Sequence, residues 1–336
     1  MSRYTLALTN ALSNALLAAA VASCISSGAM AQASAAAFPS KTVTLISPYP
    51  PGGGPGGDGR VWAQKLTEAW GKPVVLDFKA GAGSTIGTNY VAKAAPDGHT
   101  LLLITAGFSV TAVMHTDLPY DPVKDLAPVS LTHKRGALFV VHPSSPYKTF
   151  PEFVAYAKAR PGQLNFATTG AGSIYHLLGA WLNSAAGIKT TLVHYKGSGP
   201  LLVDMVAGRT QIAPTTFLSG WPLVASGKLR ALATISMERS HISPDLKTVA
   251  EQGIPEFDYS SWGGLLAPAG TPAPVLEKIA GQFATLARDP ATVEQFKKTG
   301  AVLIGSTPAE FRKYIQTEIA RWGRLIKENN IQPEAD

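Results

Sequence analysis

The amino-acid sequence predicts an α/β fold arranged as two lobes. Short apolar runs of strand type alternate with helical patterns along most of the chain, and this alternation is typical of a sheet covered by helices. Three strands, at 43–47, 74–78 and 164–167, end in glycine-rich loops that lead into helices. Crossings between lobes are expected near Val140–Pro143, where a strand meets a Pro/Ser-rich turn, and near Ser260–Gly264. Two crossings indicate that the chain leaves a first lobe, builds a second and returns.

The first helix is predicted over Arg60–Trp70, where apolar side chains recur at helical spacing. Asp58 is the expected N-cap, and Gly71 is expected to end the helix. A buried strand follows at Leu101–Thr105, after a Pro-Asp-Gly turn. Further strands are expected at 138–141, 164–167, 191–195 and 229–235. The last helix is predicted from Ala309 to about Asn329, with an apolar stripe of Phe311, Ile315, Ile319, Trp322 and Ile326.

The glycine-rich loops predict the ligand chemistry. Glycine lets the backbone approach a ligand closely, and a helix N-terminus presents unpaired N–H groups with a partial positive charge. We therefore expect the loops to converge on one cleft that binds a small anion.

The first residues predict export. Residues 1–31 read as a signal peptide, with one charge at Arg3, a short apolar core at Ala15–Ala22 and small residues at Ala29 and Ala31. Cleavage is expected before Gln32. The segment around Cys24 also resembles a lipobox, which would give a lipid tether, so both readings stay open. In either case we expect a periplasmic protein.

Composition excludes several classes of function. Cys24 is the only cysteine, so no intrachain disulfide is expected. The formal net charge is +7, and the basic residues are scattered, which argues against nucleic-acid binding. We find no metal-ligand spacing among the histidines, no Gly-x-Ser-x-Gly elbow and no complete dinucleotide fingerprint. We expect no metal, no cofactor and no catalytic residues.

Nine motifs in order resemble one known family, the periplasmic solute receptors of tripartite tricarboxylate transporters, of the Bordetella-uptake type. The motifs are Ser47–Gly53, Lys72–Val75, Gly81–Gly87, Ala94–Leu103, Gly170–His176, Tyr195–Pro200, Ala225–Leu232, Gly263–Pro272 and Arg321–Lys327. The resemblance runs from about Phe38 to about Ile331. It implies a periplasmic-binding-protein (Venus flytrap) fold, with lobe 1 at 38–141 plus 263–336 and lobe 2 at 142–262. It also implies a small carboxylate ligand, delivery to membrane permease subunits, no catalysis and a monomer.

The resemblance places ligand-binding residues on both lobes. From the residues themselves, we expect the N–H groups of the glycines and the Ser173 hydroxyl to donate hydrogen bonds to carboxylate oxygens. The expected ligand-binding residues are Tyr49, Gly53, Gly54, Asp58, Ser84, Thr105, Ala106, Thr169, Gly172, Ser173, His176, Lys196, Thr215 and Thr216.

Two departures from the family pattern leave the ligand open. Asp58 comes late in the first loop, and Thr215 and Thr216 stand where relatives often have an acidic or Asn side chain. Aliphatic di- or tricarboxylates are the first expectation. Aromatic carboxylates are the second, because Tyr49, Phe108, Phe217 and Trp262 could accept a ring; amino acids and uncharged vitamins stay open. The alternatives to a transport receptor are a sensory receptor with the same fold and an exported hydrolase.

Overall fold

The structure of the chain is a computed structural model that describes residues 37–51, 54–115, 117–329 and 331. The predicted signal peptide, with Cys24, and the predicted ligand residue Gly53 lie outside these residues. Within the described ranges, no helix has both the length and the apolar character that crossing a bilayer requires.

Ten strands and ten α-helices make up the described chain. The first half contains β1 (Val43–Ser47), α1 (Gly54–Trp70), β2 (Val74–Phe78), α2 (Thr85–Ala92), β3 (Thr100–Thr105), α3 (Gly107–Met114), β4 (Leu126–Val141), α4 (Phe150–Lys158) and β5 (Asn165–Thr168). The second half contains α5 (Ile174–Ala186), β6 (Thr191–His194), α6 (Ser198–Val206), β7 (Ala213–Thr216), α7 (Phe217–Ala225), β8 (Arg230–Thr234), β9 (Ser260–Pro268), α8 (Ala273–Leu286), α9 (Pro290–Lys297), β10 (Ala301–Leu303) and α10 (Pro308–Glu328). Short 3₁₀ turns lie at Ala82–Ser84 and Ala250–Gln252.

The first lobe is built on a mixed sheet in the order β10-β4-β9-β3-β1-β2. β1 pairs in parallel with β2 and β3, and β9 runs antiparallel to β3 and β4. Both faces of this sheet are buried, since Leu45 packs into one apolar core and its neighbour Ile46 into another. This explains why β3 reads as a continuous apolar run at Leu101–Ile104 and why β1 has apolar side chains on both faces.

Strand β4 connects the two lobes. Its first part, residues 126–136, pairs with β9, and residues 137–141 pair with β7 and β8. Only the second part was predicted, because the polar run Thr132–Arg135 hides the first part in the sequence. The chain returns through the start of β9, where Ser260 lies opposite Gly136. The exact bounds given above for the two lobes stay a prediction.

One helix prediction needs correction. Helix α1 begins at Gly54 rather than after Asp58, because Pro55 is well suited to the first turn of a helix and the glycines do not break it there. The apolar stripe predicted on α10 does pack against the core, with Ile319 and Ile326 half-buried, and Glu318 and Leu325 are buried beside it. Glu318 belongs inside because its carboxylate accepts a hydrogen bond from the indole N–H of Trp262 at 3.2 Å.

Candidate ligand-binding site

A cleft of about 1070 Å³ lies between the two lobes. Its walls follow the carboxyl ends of six strands, β1, β2 and β3 in the first lobe and β5, β6 and β7 in the second. Ligands of open α/β sheets bind at such ends, because loops and helix N-termini meet there.

Six helices turn their N-termini toward this cleft. Residues of the first turn or the N-cap line it for α1, α2, α3, α5, α6 and α7. None of these six first turns contains an acidic residue. The sequence predicted three such ends. Their combined unpaired N–H groups and partial positive charges favour an anionic ligand.

Tyr49 and Thr105 form a fixed hydrogen-bonding pair on the first-lobe wall. The Tyr49 hydroxyl oxygen accepts from the Thr105 N–H at 3.2 Å and from its Oγ1 at 2.9 Å. Burial raises the pKa of Tyr49 above its ordinary value. The phenol is therefore neutral at physiological pH, and its proton can be donated to a ligand oxygen.

The second-lobe loop at Thr169–Ser173 also lines the cleft, but its donors differ from those predicted. The N–H of Gly172 donates to Nδ1 of His176 at 3.0 Å, so it is directed into the loop and not toward a ligand. Ser173 is the N-cap of α5, and its hydroxyl oxygen accepts from the His176 N–H at 3.2 Å. The Ser173 proton and the first N–H groups of α5 are the donors that face the cleft.

The loop between β2 and α2 contains strained backbone at the wall of the cleft. Ala82 and Ser84 have positive φ angles of 43° and 84°, which non-glycine residues adopt at a cost. Ser84 lines the cleft. Gly87 lies just behind it, and an added Cβ there would come within 2.7 Å of the Lys79 carbonyl oxygen. Gly87 therefore serves close packing rather than ligand contact.

Of the remaining predicted residues, three line the cleft, namely Thr169, Lys196 and Thr216. For Gly54 the structure gives only its place as the first residue of α1. The other four do not line it: Ala106 and Thr215 are buried, His176 supports the Gly172 loop from behind, and Asp58 is paired with Arg135 and His133.

Several cleft residues were missed in the sequence. Tyr175 and Tyr259 line the cleft, whereas the predicted ring contacts Phe108 and Phe217 are fully buried elsewhere. Burial raises the pKa of both tyrosines, so they are neutral. Ser198, Ser219 and Ser261 also line the cleft. Ser198 directly follows Gly197 at the start of α6, so the glycine–helix signal used for the other loops could have found it.

The charge of the cleft follows from this inventory. No Asp or Glu is among the described residues that line it, while Lys196 and His115 can carry positive charge. Among the described residues of the chain, we find no group of three or more His, Cys, Asp or Glu side chains that could hold a metal ion. The hydroxyl groups and helix N-termini of the cleft can bind an anion through hydrogen bonds. Its described lining residues include no carboxylate that could pair with a cation.

Comparisons with known proteins agree with this geometry. The family model described as "Tripartite tricarboxylate transporter family receptor" matches residues 59–331. The protein BugT of Bordetella pertussis is 35% identical over 307 residues, covering 91% of this chain and 94% of its own. The structure of Rhodopseudomonas palustris Rpa4515 with adipate is similar at a TM-score of 0.82 and 30% identity, covering 88% and 99%. The structure of MatC from the same organism with bound malate is similar at a TM-score of 0.77 and 29% identity, covering 86% and 100%.

Proposed function

Because the chain belongs to the family of tripartite tricarboxylate transporter receptors, we propose that it binds a small carboxylate in the interlobe cleft and delivers it to a membrane permease. The family and the two-lobed fold are those of solute-binding receptors. The observation that carries the ligand class is the cleft itself, lined by six helix N-termini and, among its described residues, by no acidic side chain.

One carboxylate of the ligand is assigned to the start of α5. The Ser173 hydroxyl and the first N–H groups of α5 donate to its oxygens, and the Tyr49 hydroxyl donates from the opposite wall. Charge-assisted hydrogen bonds of this kind contribute about 1.5–3 kcal/mol each. Several of them, less the cost of ordering the ligand and closing the lobes, lead to a Kd of roughly micromolar.

An aliphatic dicarboxylate is the first ligand class to test. The similar structures named above hold adipate and malate, which are both of this class. Aromatic carboxylates are the second class, since Tyr49, Tyr175 and Tyr259 offer ring surfaces along the cleft.

The family supports the proposed partner and compartment. Its proteins are periplasmic receptors that work with transporter components, which supports a periplasmic receptor that presents its ligand to permease subunits. That this chain acts as a monomer stays a prediction. A lipid on Cys24 remains a prediction. Loss of uptake of the bound acid in cells lacking this chain or the permease would support transport; normal uptake with loss of induction would indicate a sensor.

The proposal is tested by a thermal-shift screen of the purified protein. The panel contains aliphatic mono-, di- and tricarboxylates, aromatic acids and amino acids. A ligand that binds only the folded state at a hundredfold excess over Kd raises the free energy of unfolding by about 2.7 kcal/mol. We expect shifts with carboxylates, confirmed by calorimetry. No shift with any acid, or turnover of a compound in the panel, would contradict the proposal.

A further inference from the structure

One buried side chain of the cleft lacks a hydrogen-bond partner. The buried tyrosines among the described residues are Tyr120, Tyr147, Tyr175 and Tyr259. Tyr120 and Tyr259 have threonine or serine hydroxyls as partners, and Tyr147 donates to the Gln211 carbonyl at 3.1 Å. The Tyr175 hydroxyl has no partner within the described part of the chain. Because a buried tyrosine hydroxyl usually finds one, this exception needs a physical explanation.

The Tyr175 hydroxyl opens into the cleft. Tyr175 lines the cleft although only 6% of the residue is exposed. Its hydroxyl does not belong to the fully enclosed polar atoms that lack a partner, so solvent reaches it, and the cleft is the space on which this residue borders. The phenol therefore presents one donor and one acceptor to the occupant of the cleft.

Tyr259 brings a second hydroxyl to the same region. It lines the cleft from the position just before β9 and is 3% exposed. An ionised Tyr175 would raise the pKa of Tyr259, which means that the two phenols lie near one another. Ser261 also lines the cleft, and its hydroxyl is a partner of Tyr259. Hydroxyls from α5 and from the crossing strand β9 therefore border one part of the cleft.

The described surroundings of these hydroxyls favour an uncharged group over a second carboxylate. Burial is the only cause that raises the pKa of Tyr175, so no cation of the described residues acts on its hydroxyl. At Tyr259, the buried carboxylate of Glu318 raises the pKa of the phenol further. A ligand carboxylate placed here would lose its water and face another carboxylate. An uncharged oxygen would gain hydrogen bonds without that cost.

We propose that Tyr175 and Tyr259 form a polar subsite for an uncharged oxygen of the ligand, namely a hydroxyl or keto group on the carbon chain that carries the carboxylate. The proposal rests on the function proposed above and narrows the ligand to hydroxy and oxo acids. Tyr175 follows Ser173 by two residues at the start of α5, so a carboxylate bound there brings the carbon chain to the phenols. A ligand hydroxyl would donate to one phenol oxygen and accept from the other, whereas a keto oxygen would only accept.

Two other roles of these tyrosines predict different results. If the phenols only offer ring surfaces, acids with an aromatic ring gain from them whether or not the phenol hydroxyls are present. If the Tyr175 hydroxyl only binds water of the cleft, an added oxygen on the ligand gains nothing. A subsite makes the affinity depend on the phenol hydroxyl and on the ligand oxygen together.

The test measures Kd by calorimetry for matched acids that differ by an uncharged oxygen. The pairs are succinate and malate, glutarate and 2-oxoglutarate, and butyrate and each of its hydroxybutyrate isomers. We expect the wild-type protein to bind the oxygenated acid of at least one pair about tenfold more tightly. Tyr175→Phe is expected to remove this preference with little change in affinity for the parent acid. Tyr259→Phe is expected to reduce it and decides the matter if Tyr175→Phe does not fold.

Tyr147→Phe is the matched control. Tyr147 is also buried, but its hydroxyl donates to the Gln211 carbonyl and the residue does not line the cleft. The substitution removes the same atom and is expected to leave the preference unchanged while lowering the melting temperature, because a buried carbonyl loses its donor. Tyr175→Phe removes a hydroxyl without a protein partner, so its melting temperature without ligand is expected to stay the same or rise.

The outcomes separate the two proposals. If the wild-type protein binds none of the carboxylates, the proposed function fails. If it binds carboxylates without a preference in any pair, or if Tyr175→Phe keeps the preference, or if Tyr147→Phe removes it equally, the tyrosines do not form a polar subsite. Equal losses of affinity for parent and oxygenated acids in Tyr175→Phe would also overturn the subsite, because the hydroxyl would then act on the carboxylate or on the shape of the cleft.

Discussion

Ser173 is the N-cap of α5 and is also proposed to bind the ligand. Its hydroxyl oxygen accepts a backbone hydrogen bond as the N-cap, which leaves its proton directed to the cleft. The sequence placed Ser173 in the site but assigned its neighbour Gly172 as a second donor. In the structure that N–H donates to Nδ1 of His176, so Ser173 is the residue of this pair that stays a proposed donor.

Replacing Ser173 with alanine is expected to lower both stability and affinity. Loss of an N-cap costs about 1 kcal/mol of unfolding free energy, and loss of one charge-assisted hydrogen bond weakens carboxylate binding about tenfold. Urea denaturation and calorimetry measure the two effects. Thr149→Ala is the control, because Thr149 caps α4 in the same way and α4 does not line the cleft. Equal losses of affinity in both variants would exclude a direct role for Ser173.

Asp58 is expected to make the protein sensitive to acid. Its pKa is below the ordinary value of about 4, so its contribution to stability is complete above that pH and is lost as the pH falls toward the folded-state pKa. Breaking a buried ion pair costs about 3–5 kcal/mol, which is the expected loss in Asp58→Asn at pH 7. Urea unfolding between pH 7 and pH 3 should show a steeper decline for the wild type than for the variant. Parallel declines would assign the acid sensitivity to other carboxylates.

At the scale of elements, the repeated unit of the site is a strand that leads, directly or through a loop, into a helix N-terminus. The unit occurs six times around the cleft. Each helix end contributes about 0.3–1 kcal/mol to an adjacent negative charge, so the six together can stabilise an anion without a direct salt bridge. The loops do not all have the same role. The loop before α2 lets that helix pack close to the ends of β2 and β1.

Gly87→Ala tests that packing role. The new methyl group would lie 2.7 Å from the Lys79 carbonyl and 2.9 Å from the Pro48 Cα, and overpacking of this kind costs about 1–3 kcal/mol. Gly281→Ala in α8 meets nothing within 4 Å and is expected to raise stability by about 0.5–1 kcal/mol. Thermal or urea denaturation of both variants measures the difference. If Gly87→Ala were as stable as the wild type, close approach of α2 would not explain this glycine.

At the scale of the whole molecule, the two lobes are expected to select the ligand by charge. Neither lobe places a carboxylate among the described residues of the cleft, and the carboxylate of Asp58 is paired with Arg135 and His133. An ammonium group on the ligand would lose its water without gaining a carboxylate partner.

This arrangement predicts discrimination between succinate and aspartate, which differ by one ammonium group. Calorimetry on the wild-type protein should show aspartate binding at least about tenfold more weakly, because desolvating an unpaired charge costs more than 1.4 kcal/mol. The pair glutarate and glutamate provides a repeat at another length. Equal or tighter binding of the amino acids would mean that an acidic group reaches the ligand.

The sequence by itself determined the fold class and the family, and it suggested the ligand chemistry that we propose. The fold class follows from apolar runs that form strands and from glycines and hydroxyl residues that begin helices, and the family follows from the resemblance of nine motifs in order. The family resemblance is confirmed over residues 59–331, and the two-lobed α/β fold is confirmed by similar structures.

Only the tertiary structure decided which groups line the cleft. The partner of Asp58 lies 77 residues away at Arg135, and no local pattern links the two positions. The full length of β4 was hidden in the same way, because the polar residues within it are satisfied by contacts from α1 and β9. Side-chain direction and long-range pairing depend on how the elements pack, and for that reason the sequence predicted the loops of the site but not the buried ion pair of Asp58 and Arg135.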